Sequence, residues 1–196
     1  SSNGSLTSLT GLNNLTSIGG NLTLYGGLIG NSTLTTLSGL NNLAYIGGGL
    51  SIQSYHALAS LTALENLTFI GGNLSIFGNN SLSSLTGLEN LTSIAGNLAV
   101  SGNNALTSLT GLENLTSIAG NLTISANNAL ISLIGLDSLN SIVGNLQVGG
   151  NNALTSLTGL GSLNTIGGGL YIGSWDYNPY GNPALINLSG LDNLTS

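Results

Sequence analysis

Aliphatic residues recur along this chain in a fixed register. If each unit begins at a leucine, the units start at Leu6, Leu34, Leu58, Leu82, Leu106, Leu130, Leu154 and Leu185. In the seven complete units, positions 0, 3, 6, 9, 12, 16 and 18 after the start always hold Leu, Ile or Val. Positions are numbered in this way throughout. The starts of the second to seventh units are 24 residues apart, so the repeat is close to 24 residues long.

The residues between these aliphatic positions argue against helix. Glycine occupies position 14 of every complete unit, and Ser, Thr and Asn fill most of the remaining positions; these residues are poor helix formers. The aliphatic residues at positions 16 and 18 are separated by one residue, which fits the alternation of inward and outward side chains in a short strand. The pattern predicts an all-β, right-handed parallel β-solenoid with about 24 residues per coil, seven full coils and a partial one. Stacked coils lie about 4.8 Å apart.

The repeat resembles a known family in its residues. The run Leu122-Thr-Ile124-Ser-Ala-Asn127 has the L-x-I-x-x-N form of leucine-rich repeats, and GLENLTSIAGNLTI precedes and includes part of it. The longer pattern is similar to the receptor L domain and to leucine-rich-like repeats of secreted bacterial and fungal wall proteins. The resemblance covers the whole chain and implies a coil fold with a non-catalytic role in binding, adhesion or wall structure. The cysteine-rich flanks of animal receptor L domains are missing, so receptor activity is not carried over.

The chain is predicted to be one solenoid over residues 1–196. Ser1 enters at position 19 of one coil and Ser196 falls at position 11 of another, so both ends lie within a repeat. Solenoids usually need polar capping repeats. We therefore expect a segment of a longer array or a subunit that stacks end to end.

Asparagines also follow the repeat. Asn79, Asn103, Asn127 and Asn151 share position 21, and a second set shares position 15: Asn21, Asn73, Asn97, Asn121 and Asn145. Side-chain amides stacked along an axis hydrogen-bond to one another and to turn backbone groups. Both sets are predicted to be structural ladders.

Two insertions break the register, one of four residues within positions 25–33 of the chain and one of seven within 173–183. The second insertion holds Trp175, Asp176, Tyr177 and Tyr180, which are candidate ligand-binding residues because aromatic rings in a surface loop can stack on a sugar or dock a partner. The alternative is that this loop covers a hydrophobic patch at its own edge.

Composition narrows the classes of function. The chain has no Lys or Arg, six Asp and Glu residues and one histidine, with a net charge of −6. Without basic residues it cannot clamp phosphates, which excludes nucleic-acid binding. There is no cysteine and no apolar run long enough to span a membrane. Nucleophile, zincin and Walker motifs are missing as well. We expect neither an enzyme nor a cofactor.

The carboxylates form the one charged pattern. Glu65, Glu89, Glu113 and Asp137 occupy position 7 of consecutive coils, which would place them about 5 Å apart in a column. Such a column is either solvated, keeping the rod soluble, or bridged by a cation such as Ca²⁺.

Hydroxyl residues suggest a further function. Positions 2 and 4 flank an inward leucine and give Ser-Leu-Thr in most coils, although Ile134 interrupts the column. This array resembles the surface of ice-binding proteins. The favoured interpretation is a non-catalytic structural or adhesive protein, extracellular or at the cell surface, that forms a filament or surface layer by associating end to end or laterally. Ice binding through the hydroxyl face, and glycan binding through the aromatic loop, are the alternatives.

Overall fold

The computed structural model describes residues 6–27, 33–173 and 181–196 of the chain. Over these residues the protein is built from two parallel sheets of seven strands each and contains no α-helix. Each coil contributes one short strand, ending at position 12, and one longer strand, beginning at position 16. The predicted all-β parallel solenoid is confirmed, and its strands span about six turns, slightly fewer than the seven full coils predicted.

The short strands form one sheet: β1 Ser17–Ile18, β3 Tyr45–Ile46, β5 Phe69–Ile70, β7 Ser93–Ile94, β9 Ser117–Ile118, β11 Ser141–Ile142 and β13 Thr165–Ile166. The longer strands form the other: β2 Leu22–Tyr25, β4 Leu50–Gln53, β6 Leu74–Phe77, β8 Leu98–Ser101, β10 Leu122–Ser125, β12 Leu146–Gly149 and β14 Leu170–Ile172. In both sheets the strand order follows the coil order, so each strand pairs with the equivalent strands of the adjacent coils.

The register places identical repeat positions on top of one another. Leu122 of β10 pairs with Leu98 of β8 on one side and with Leu146 of β12 on the other. All seven aliphatic positions are at most 1% exposed in the second to sixth coils. Burying one such side chain fully contributes about 1.5–3 kcal/mol. The hydrophobic core is therefore a set of continuous aliphatic columns that run along the axis.

Turn hydrogen bonds explain the three-residue spacing of the leucines outside the strands. The Leu112 amide donates to the Leu109 carbonyl, and the Leu115 amide donates to the Leu112 carbonyl. An i to i+3 bond brings every third side chain to the same side of the chain. This segment is thus a series of tight turns that point leucines into the core, and it contains no regular strand.

A glycine at position 5 allows the coils to approach one another. Gly39, Gly87 and Gly111 each have φ of +113°, a region that residues with a Cβ rarely adopt. A Cβ at Gly111 would also collide with the Leu85 carbonyl of the preceding coil. In the third coil this position is Ala63, and the chain there forms a short 3₁₀ helix, Thr62–Leu64.

Position 20 requires a left-handed backbone as well. Gly78, Gly102 and Gly150 adopt φ of 68–70° there. Two coils carry a residue with a side chain at the same position, namely Ser54 with φ of 60° and Ala126 with φ of 56°. An L-residue in this region costs about 1–2 kcal/mol. The fold imposes this conformation on Ser54 and Ala126 because the neighbouring coils fix the path of the turn.

Replacing Ala126 by glycine should therefore stabilise the protein. We expect Ala126→Gly to raise the free energy of unfolding by about 0.5–1 kcal/mol, because removal of the Cβ relieves the left-handed strain. The matched control is Ala119→Gly, at a position without positive φ, which should lower the free energy of unfolding by about 0.5–1 kcal/mol. Equilibrium chemical denaturation measures both values, and the same sign for the two variants would contradict this account.

Candidate functional site

A buried column of asparagines runs along the solenoid at the turn that follows each long strand. Asn79, Asn103, Asn127 and Asn151 are fully buried and are the only buried polar side chains among the described residues. The backbone amide of Asn79 donates to Asn103 Oδ1 at 3.0 Å, and that of Asn103 donates to Asn127 Oδ1 at 3.0 Å. Each Oδ1 therefore accepts a hydrogen bond from the preceding coil.

The Nδ2 atom of each of these asparagines donates to a backbone carbonyl of the preceding coil. Asn103 Nδ2 donates to the Ile76 carbonyl at 2.9 Å, and Asn127 Nδ2 donates to the Val100 carbonyl at 3.0 Å. An amide carries both donors and an acceptor, so one residue type satisfies the turns of successive coils. The predicted asparagine ladder is confirmed and is structural, since buried polar groups must be paired.

The structure extends this ladder by one residue that the sequence pattern missed. Asn182 Oδ1 accepts from the Asn151 amide at 3.0 Å, and its Nδ2 donates to the Val148 carbonyl at 2.9 Å. The seven-residue insertion moves Asn182 from position 21 to position 28 of its unit, and this shift hid the equivalence. At the other end of the ladder the Tyr55 amide donates to Asn79 Oδ1 at 3.1 Å, and burial raises the pKa of the Tyr55 phenol.

Three further amide columns lie at the surface. At position 15 the Asn97 amide donates to Asn73 Oδ1 at 2.8 Å, which confirms the second predicted ladder. At position 8 Asn114 Nδ2 donates to the Glu89 carbonyl at 2.8 Å. At position 22 Asn104 Nδ2 donates to Asn80 Oδ1 at 3.1 Å. The last two columns were not predicted, although their regular 24-residue spacing was a signal that could have identified them.

Removing one buried amide should destabilise the rod strongly. Asn103→Ala removes the acceptor of the buried Asn79 amide and the side-chain hydrogen bond to the Ile76 carbonyl, and we expect the free energy of unfolding to fall by about 2–4 kcal/mol. The control is Asn104→Ala at the adjacent exposed position, which should change it by less than about 0.5 kcal/mol. Urea denaturation of both variants measures the difference, and similar losses would argue against the ladder.

The carboxylates of the predicted column are each hydrogen-bonded within their own turn. Glu113 Oε2 accepts a hydrogen bond from the Gly111 amide at 2.9 Å, and Glu89 accepts from Gly87 at 2.8 Å. The carboxylate of Asp137 makes the same contact with Gly135 at 2.9 Å. Each carboxylate therefore accepts a hydrogen bond from the amide of the glycine two residues earlier in its own turn.

Glu65 departs from this arrangement because its coil has Ala63 in place of the glycine. Its backbone amide donates to the Thr62 carbonyl in the 3₁₀ helix. Among the described residues no group of three or more His, Cys, Asp or Glu side chains is placed to hold a metal ion. The calcium-bridged column of Glu65, Glu89, Glu113 and Asp137 therefore stays a prediction.

This difference between the coils can be measured. Glu113→Ala should lower the free energy of unfolding by about 1 kcal/mol, because a hydrogen bond to a charged acceptor is lost from a half-buried turn. Glu113→Gln keeps an oxygen acceptor and should lose less. Glu65→Ala serves as the matched control and should change stability less than Glu113→Ala. If Glu65→Ala is the more damaging substitution in thermal unfolding, the glycine contact does not hold the turn.

The hydroxyls at positions 2 and 4 pair with each other within each coil. The oxygens of Ser108 and Thr110 lie 2.8 Å apart, and those of Ser84 and Thr86 lie 2.9 Å apart. Residues two apart in an extended strand would be separated by about 6.6 Å. The chain is curved here, so the hydroxyls converge and satisfy one another. This arrangement differs from the flat hydroxyl array expected for ice binding.

The outer face of the longer sheet carries exposed aromatic residues among neutral polar ones. Tyr25 of β2 and Phe77 of β6 are 47% and 49% exposed. Gln53 of β4 lies between them, since Tyr25 pairs with Gln53 and Gln53 pairs with Phe77. On the shorter sheet the rings of Tyr45 and Phe69 stack with centroids 4.9 Å apart and planes 6° apart.

The predicted aromatic loop with Trp175, Asp176, Tyr177 and Tyr180 lies outside the described residues, so its binding role stays a prediction. No helix in the described parts of the chain is long and apolar enough to cross a membrane.

The stacked coils, aliphatic columns and amide ladders define a parallel β-solenoid repeat protein. Residues 68–134 match the family model of the receptor L domain. The expected resemblance to L-domain-like repeats is thereby confirmed. No curated protein and no solved structure matches the chain.

Proposed function

We propose that this protein is a non-catalytic extracellular repeat protein that acts as a structural or adhesive rod. The observation that supports it most is the axial continuity of the described solenoid, in which two seven-stranded sheets and the buried asparagine ladder run from coil to coil. Polar groups at the turns are used to join coils. Receptor L domains are typically extracellular, which agrees with the proposed location.

The surface chemistry agrees with association through neutral groups. The chain has no basic residue and only six acids. In the described residues the asparagine amides mostly bond between coils, and the hydroxyls at positions 2 and 4 bond within their own coil. Contacts with another rod or with a surface would thus depend on hydrogen bonds and on aromatic side chains. Lateral or end-to-end association of rods into a filament or surface layer is part of this proposal.

Ice binding through the Ser/Thr face is the weaker alternative. Hydroxyl oxygens 2.8–3.0 Å apart in six coils satisfy each other inside each coil. They therefore offer ice a poorer match than a flat, evenly spaced array.

Negative-stain electron microscopy of the purified full chain tests the structural proposal. We expect rods, alone or associated into fibres, with coils stacked at about 4.8 Å. Thermal hysteresis measured on the same sample should be missing. Compact monomers with clear hysteresis would overturn the proposal in favour of ice binding.

A further inference from the structure

The outer face of the longer sheet contains an interrupted aromatic column. At position 19 the first three coils carry Tyr25, Gln53 and Phe77 in adjacent, directly paired strands. The Cα atoms of Tyr25 and Phe77 are therefore two strand spacings apart, about 10 Å. Both residues are roughly half exposed, whereas Gln53 between them is partly buried.

The middle side chain is drawn away from this gap. Gln53 Nε2 donates to Ser51 Oγ at 2.6 Å, a contact within its own strand that turns the amide toward the neighbouring position 17. Ser51 and Gln53 are both half-buried. The Gln53 amide is consequently held along its own strand, beside the space between the two aromatic residues.

A stacked aromatic pair elsewhere in the protein shows that two rings can be one strand spacing apart. Tyr45 and Phe69, in adjacent coils of the shorter sheet, stack with centroids 4.9 Å apart. This value equals the strand spacing and lies within the preferred range for aromatic stacking. By the strand spacing, a ring placed outward of Gln53 would lie one strand away from Tyr25 on one side and from Phe77 on the other.

The chemistry around the gap selects the kind of ring. No residue at positions 15, 17 or 19 of the described sheet face carries a charge. The groups beside the gap are the Gln53 amide and the hydroxyls of Thr23, Ser51 and Ser75. Hydroxyl and amide groups can bond the rim of a sugar, while aromatic faces contact its apolar C–H face. A net charge of −6 with no basic residue disfavours anionic saccharides.

We infer that Tyr25, Gln53 and Phe77 form a slot for one pyranose ring of a neutral saccharide. None of these three residues belongs to the insertion that contains Trp175. The slot gives the proposed adhesive role a ligand class and rests on that role, but it needs no self-association of the rod.

The slot can be tested with the full chain and a panel of neutral oligosaccharides of glucose and of N-acetylglucosamine, using isothermal titration calorimetry. We expect Tyr25→Ala and Phe77→Ala each to weaken binding at least about tenfold. Gln53→Phe should fill the slot with a third stacked ring, abolishing binding while keeping or raising the melting temperature. This variant separates loss of the slot from loss of the fold.

The matched controls are Tyr45→Ala and Phe69→Ala, which remove aromatic rings from the other sheet and should leave the affinity within about twofold. Equal losses in the controls, or full binding by Gln53→Phe, would overturn the slot. A folded wild type that binds no neutral saccharide, or that binds an aromatic peptide in its place, would also overturn it. Rods seen in the same preparation by microscopy would then leave the structural role standing.

Discussion

The described solenoid depends on one constraint, the stacking of equivalent residues of successive coils at about 4.8 Å. A residue type is stable in such a column only if its side chain can pack against, or bond to, an identical side chain in the next coil. Leucine does so by packing, and asparagine does so because an amide both donates and accepts. Like charges at this distance repel by somewhat under 1 kcal/mol per neighbour in water, and by more where water is excluded. This geometry therefore disfavours columns of like charge, and the chain carries only six acidic residues.

The carboxylates at position 7 show how a charge is accommodated within the same constraint. Glu89, Glu113 and Asp137 each accept the amide of a glycine in their own turn. That glycine is itself required, because a Cβ would collide with the coil beneath and the backbone there is left-handed. In the coil that has Ala63, the backbone forms a 3₁₀ turn, and Glu65 does not share the contact with a glycine amide.

In most columns the side chains pack against or hydrogen-bond to one another. Positions that interrupt a column are therefore candidates for ligand binding. Tyr25 and Phe77 stand half exposed on either side of Gln53, whose amide is turned to Ser51. The self-paired hydroxyls of Ser108 and Thr110 illustrate the opposite case, in which polar groups are already satisfied. The described solenoid thus combines columns that continue from coil to coil with a few positions where the repeat is interrupted.

The amino-acid sequence by itself determined the parallel solenoid, the aliphatic columns and two amide ladders, because the 24-residue period fixes which residues coincide. It could not determine how the chain curves between strands. Only the tertiary structure decided that Ser108 and Thr110 converge, that the carboxylates cap glycine amides, and that Asn182 joins the buried ladder across an insertion. These contacts depend on backbone dihedral angles and on the approach of neighbouring coils, which a pattern of residue types does not encode.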